Sequence, residues 1–179
     1  QVLERTRTPV IASHSACRRF TPGFERNMSD EMITLIARNG GIVQINFGSY
    51  FINNAHRTAA QERSQAIDEF LELQDLDQDD EQARHEAAQH LEQHQPPEAT
   101  VDDVVQHISH VVQLAGIDHV GLGSDFDGVG ALPVGLKDVS GYPNLIAALL
   151  ESGYTEQEIR KICGENFLRV WDEILGAAK

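Results

Sequence analysis

Cysteine is scarce in this chain. Cys17 and Cys163 are the only two and stand far apart. They cannot build a disulfide framework and contain no Cys-x-x-Cys metal or redox motif, so they leave the redox compartment open. Basic residues are few as well: 14 Lys and Arg against 28 Asp and Glu, a formal net charge of −14. That balance excludes nucleic-acid binding through a basic face and disfavours anionic membrane surfaces. No run of about 18 apolar residues is present, so no transmembrane helix is expected. No signal peptide opens the chain. The first residue is Gln1, not Met, which points to a missing N-terminus. The expectation is a soluble protein, with cytoplasmic and exported locations both open. A Gly-rich phosphate loop is missing too, because Gly121-x-Gly123 lacks the third glycine and lies in a strand. No G-x-S-x-G elbow occurs, so a serine hydrolase of that kind is unsupported.

What is present is globular: 41% hydrophobic and 23% charged residues over 179 positions, enough for one domain with a real core. Residues 1–7 read as the end of a helix. The apolar run 9–12 reads as a strand buried on both faces. Ser29 caps a helix with Asp30 and Glu31 in its first turn and a stripe of Met32, Ile33, Leu35 and Ile36. Asn39-Gly40-Gly41 stops it, and 42–47 is a second strand. Residues 51–99 differ: 12 Asp and Glu against 3 Arg, rich in Gln and Ala. They read as one or two exposed helices closed by Pro96-Pro97, a solvated acidic insertion. Thr100 caps the next helix, with Val104, Val105, Ile108, Val111, Val112 and Leu114 facing inward. A third strand covers 119–124, where Gly121 and Gly123 suggest tight backbone packing. Pro143 opens a helix, Thr155 and Glu158 form a capping box for another, and a last helix covers 165–175. Strands alternating with helices mean a parallel sheet. Three parallel strands leave bare edges, so the chain reads as part of a larger α/β barrel or sheet.

Parallel α/β proteins build active sites at the carboxyl ends of strands. His14 leaves the first strand there and Asp125 the third. An imidazole can ligate a metal, and a carboxylate beside it can handle water. A buried, hydrogen-bonded histidine after a strand is about as common. A calcium loop starting at Asp125 fails, since Val129 and Leu136 stand at positions that need oxygen ligands. His107 and His110, three apart on a helix, could form half a metal site but read rather as a partly exposed face. His85, His90 and His94 read as surface residues. Arg26 follows the first strand, where a guanidinium could clamp a carboxylate in bidentate fashion or simply pair with its own loop.

Several segments together resemble the membrane-dipeptidase (renal dipeptidase) family, peptidase M19. They are 9–15 (PVIASHS), 26–30 (RNMSD), 41–47 (GIVQINF), 116–129 (GIDHVGLGSDFDGV), 135–140 (GLKDVS), 142–146 (YPNLI) and 166–170 (NFLRV). The run GSDFDGV is the most specific. The resemblance implies a metal-dependent hydrolase (β/α)8 TIM barrel with two zinc ions at its carboxyl rim. Residues 1–179 then form the C-terminal part of a single barrel domain, about strands six to eight and the following helices, with the acidic insertion at 51–99. It further implies His14 as a metal ligand, Asp125 as the catalytic aspartate and Arg26 as the residue that holds the substrate carboxylate. The family's His-x-Asp pair, bridging Glu and other histidine ligand have no counterpart here, so one of five expected ligands is present.

The reading is a zinc-dependent dipeptidase acting on dipeptide substrates, present as a segment expected to be inactive alone; homo-oligomerisation is compatible with it. Two alternatives stay open: another metal-dependent barrel hydrolase, and a non-catalytic homologue serving as a binding module.

Overall fold

A computed structural model of the chain describes residues 2–91 and 95–177. After the short helix α1 (Val2–Arg5), strand β1 (Ile11–Ser15) enters a sheet with β2 (Ile42–Asn46) and β3 (Val120–Ser124). The order is β1-β2-β3, and both pairings are parallel. Helix α2 (Asp30–Arg38) joins the first two strands. Between β2 and β3 run α3 (Ser49–Ile52), α4 (Asn54–Leu73), α5 (Glu81–His90) and α6 (Val101–Ala115). Helices α7 (Tyr142–Glu151), α8 (Glu156–Arg160) and α9 (Asn166–Ala177) close the chain, with a π-turn over Lys161–Glu165 before α9. Among the described residues no helix is long and apolar enough to cross a membrane.

The capping residues act as their chemistry requires. Ser29 Oγ accepts from Met32 N–H, Asp103 accepts the Thr100 N–H, and Thr155 and Glu158 satisfy each other's backbone donors. Asn39 ends α2 and ties it to the strand before it: its Oδ1 accepts from Val10 N–H at 2.8 Å. One face of the sheet is apolar. Val43, Ile45, Phe47 and Val120 pack with Ile33 and Ile36 of α2, Val104, Ile108 and Val111 of α6, and Leu145 and Leu149 of α7. Each such side chain contributes about 1.5–3 kcal/mol by leaving water.

Three expectations need correction. Strand β1 is not buried on both faces: Ile11 and Ala12 are half-buried, while Ser13 and His14 are exposed, because β1 is an edge strand here. The α2 stripe is narrower than its sequence suggests: Ile33 and Ile36 are buried, but Met32 and Leu35 are about half exposed. His107 and His110 do not lie on an exposed face; both are buried. His85 and His90 are exposed as expected, and His94 lies outside the described residues.

The acidic segment forms a helical hairpin of α4 and α5. Arg84 pairs with Asp68 at 2.6 Å, Phe70 stacks on His90, and Leu71 and Ala87 are buried between the helices. Its root is fixed to the sheet layer. Asn53 donates to the Asp103 carboxylate at 3.2 Å, and buried His56 uses Nδ1 to bond the Pro97 carbonyl at 2.8 Å. Arg57 donates to the Pro22 carbonyl at 3.0 Å.

His107 is the polar centre of this layer. Cys17 N–H donates to its Nδ1 at 2.9 Å, so the ring proton sits on Nε2 and is donated to the Ile52 carbonyl at 3.0 Å. Only the neutral ring can make both bonds. Burial pushes its pKa down from 6.5 to about 4, against the opposing pull of the Ile52 carbonyl and Asp103. The unfolded chain therefore takes up a proton between those two values that the folded chain refuses, so stability falls as pH drops through that window. The loss is of the order of 3 kcal/mol by pH 4. His107→Ala should cost about 3 kcal/mol or more at pH 7, by stranding a buried N–H and C=O and leaving a void. The same substitution should flatten the acid side of the stability profile, as checked by urea denaturation at pH 7 and pH 4.5.

Candidate active site

The second face of the sheet grows more polar toward the carboxyl ends of the strands. Along β2 it carries Ile42, then Gln44, then Asn46. Opposite them β3 carries Gly121 and Gly123, and Gln44 Nε2 reaches across to the Leu122 carbonyl at 3.3 Å. A Cβ on Gly123 would meet the Ser13 carbonyl oxygen at 2.6 Å and that of Gln44 at 2.9 Å. The sheet thus curls so far that β3 touches β1 across β2. The tight packing expected at these glycines is present.

Asp125 is the most constrained residue of this rim. The chain passes through Ser124 at φ 31° and Asp125 at φ 66°, left-handed values that a non-glycine residue adopts at a cost. The carboxylate is held from β2, where Asn46 Nδ2 donates to Asp125 Oδ2 at 2.8 Å. Asn46 is fully buried, and its Oδ1 accepts from Gly48 N–H at 2.6 Å. Gly128 turns back beneath the same carboxylate, its N–H donating to the Asp125 carbonyl at 3.1 Å. A Cβ on Gly128 would collide with Asp125 Oδ1. Asn46 has no place in the sequence-based site, although it stands in the 41–47 segment and closes β2 with a polar side chain.

His14 is exposed near the end of β1, and its Nδ1 lies 2.8 Å from Ser13 Oγ. Among the described residues its Nε2 makes no hydrogen bond. Arg26 sits in the loop after β1, which folds around buried Asn27. The Asn27 amide bonds Ala16 N–H, Thr21 Oγ1 and the Phe51 carbonyl. Arg26 itself is exposed, with its guanidinium carbon 5.5 Å from the Phe51 ring centre, and makes no ion pair among the described residues. The face of the Phe51 ring steadies its charge. A cleft of about 410 Å³ is lined by Tyr50, Phe51, His56 and residues 128–131; His14, Arg26 and Asp125 are not among its lining residues.

The sequence matches the membrane dipeptidase family, peptidase family M19, over residues 1–179. The chain belongs to that family. A dipeptidase of Schizosaccharomyces pombe is 36% identical over 170 residues, which cover 94% of this chain and 31% of the yeast protein. The crystal structure of the probable dipeptidase PvdM from Pseudomonas aeruginosa superposes with a TM-score of 0.76 at 32% identity, covering 97% of this chain and 46% of that one. A Rhodobacter sphaeroides metallopeptidase, solved with a phosphinate mimic of the dipeptide L-Ala-D-Ala, gives a TM-score of 0.69 at 28% identity, covering 96% and 38%. The chain thus spans less than half the length of these relatives. Peptidase M19 structures are TIM barrels, and the curled three-stranded sheet is an arc of one.

Family M19 enzymes are metallopeptidases, so the donor set here can be tested for fit. Among the described residues no group of three or more His, Cys, Asp or Glu side chains converges to hold a metal ion. What the arc offers is one outward imidazole, with Nδ1 occupied by Ser13 and Nε2 open, and one carboxylate. That fits a single contributed ligand and does not fit a whole centre.

The contact between Gly128 and Asp125 has a measurable consequence. Gly128→Ala must push Asp125 off Asn46, so it should cost about 1–3 kcal/mol, the scale of a hydrogen bond to a charged group. Gly130→Ala is the control, because nothing lies within 4 Å of its Cβ position. It should be near neutral in the same urea titration.

Proposed function

We propose that the full-length protein is a zinc-dependent dipeptidase that hydrolyses the amide bond of dipeptides. The observation that carries this reading is the family match over the whole chain, together with the placement of His14, Asp125 and Arg26 at or beside the carboxyl ends of the strands. His14 would hold metal through Nε2, with Ser13 engaging the other ring nitrogen. Bound zinc supplies polarisation of the scissile carbonyl and a water that ionises near neutral pH. Asp125 accepts a proton from the attacking water and returns it to the leaving amine. Arg26, steadied by Phe51, grips the substrate's C-terminal carboxylate through two parallel N–H···O bonds, which restricts hydrolysis to short peptides. The acidic hairpin beyond its root takes no part in this chemistry.

Metal analysis tests the first role. The full-length protein should hold two zinc ions, and His14→Ala should lower that content; an unchanged stoichiometry removes His14 from the ligand set.

Arg26→Lys tests the clamp. Lysine keeps the charge but loses the planar fork, so kcat/KM for a dipeptide should fall by an amount worth roughly 1–3 kcal/mol, mostly through KM. Hydrolysis of the same dipeptide as its C-terminal amide should change little. Equal losses on both substrates would show that Arg26 does not hold the carboxylate.

A further inference from the structure

We infer that Asn46 is a positioning residue for Asp125, fixing which carboxylate oxygen is committed to the protein and which can exchange a proton with the substrate. The inference rests on the reading of Asp125 as the catalytic acid–base group. Its basis is the orientation of one buried amide. Asn46 has no solvent exposure, and its two polar atoms have different partners. The backbone N–H of Gly48 can only donate, so the atom 2.6 Å from it is Oδ1. That leaves Nδ2, a donor, aimed at Asp125 Oδ2 at 2.8 Å. The amide cannot flip without breaking both bonds inside the protein. Gly48 makes the first of them reachable: a Cβ there would meet Val129 Cγ1 at 2.8 Å and Asn46 Oδ1 at 3.0 Å. On the far side, Oδ1 of Asp125 lies over the bare backbone of Gly128. Oδ2 is thus bound, Oδ1 is the working oxygen, and the left-handed turn at Ser124 and Asp125 is held by a contact from the neighbouring strand.

A purely structural role is the alternative, since Asn46 also ends β2 by capping Gly48. Asn46→Asp separates the two. Its carboxylate still accepts from Gly48 but loses the donor to Asp125 and faces it with like charge. In the full-length enzyme this variant should lose about 10- to 100-fold in kcat, the size of one hydrogen bond to a charged group, with KM changed less than about threefold and zinc content unchanged. Asn46→Ser, whose hydroxyl is too short to reach Asp125, should show the same split and serves if Asn46→Asp does not fold. The deciding measurement is the double variant with Asp125→Asn. If Asn46 acts through Asp125, adding Asn46→Asp to Asp125→Asn should slow the residual rate less than about twofold. A wild-type kcat in Asn46→Asp or Asn46→Ser overturns the inference, as does an equal loss in both Asp125 backgrounds, and either result leaves the role of Asp125 standing. Wild-type turnover by Asp125→Asn alone overturns that role, and the inference with it.

Discussion

A neutral imidazole in the protein interior holds the functional edge of this molecule together. His107 is carried by α6, accepts from Cys17 in the segment just past β1 and donates to Ile52 at the end of α3. The two segments that leave β1 and β2 are thereby locked to one helix and to each other. Asn27 reinforces the junction by bonding both Ala16 and the Phe51 carbonyl. The meeting of Arg26 with the Phe51 ring follows from this, since neither loop alone fixes its place. The arrangement depends on the ring staying uncharged. Desolvation ensures this at neutral pH and withdraws it in acid.

The end of the rim that carries Asp125 is built on a different principle. Here the backbone bears the strain, at Ser124 and Asp125, and a side chain from the next strand compensates for it. Glycines supply the room: Gly48 lets Asn46 turn its oxygen inward, and Gly128 passes under the carboxylate. The charge of Asp125 is held by one amide on one side and lies over bare main chain on the other. A carboxylate of this kind is restricted in position.

Much of this architecture is legible in the residues. The run Ile42–Asn46 has to be a buried strand, and Ser29, Thr100 and Thr155 announce helix starts through local hydrogen bonds that involve only the next three or four residues. The histidines of α6 mislead for the opposite reason. A polar side chain on a helix reads as solvent-facing, and the partner that makes His107 a core residue lies 90 positions away. His110 is likewise bonded to Asp30, 80 positions away. Asn46 escapes notice on similar grounds, because its meaning depends on where β3 places Asp125. The π-turn at Lys161–Glu165 has no sequence signal that separates it from ordinary helix. The identities of His14, Arg26 and Asp125 come from family motifs, whereas the restraint on Asp125 and the support under Arg26 come from three-dimensional contacts alone.

The contact between Gly123 and the Ser13 carbonyl also bears on how such a barrel could diverge. Where two strands are drawn together until backbone meets backbone across a third, a side chain at Gly123 has no room. The spacing of these three strands is set at that level by main-chain geometry. Substitution has more freedom in the loops that follow the strands, such as those that carry Arg26 and Phe51. Variation can accumulate there while the strand ends that carry His14 and Asp125 keep their spacing.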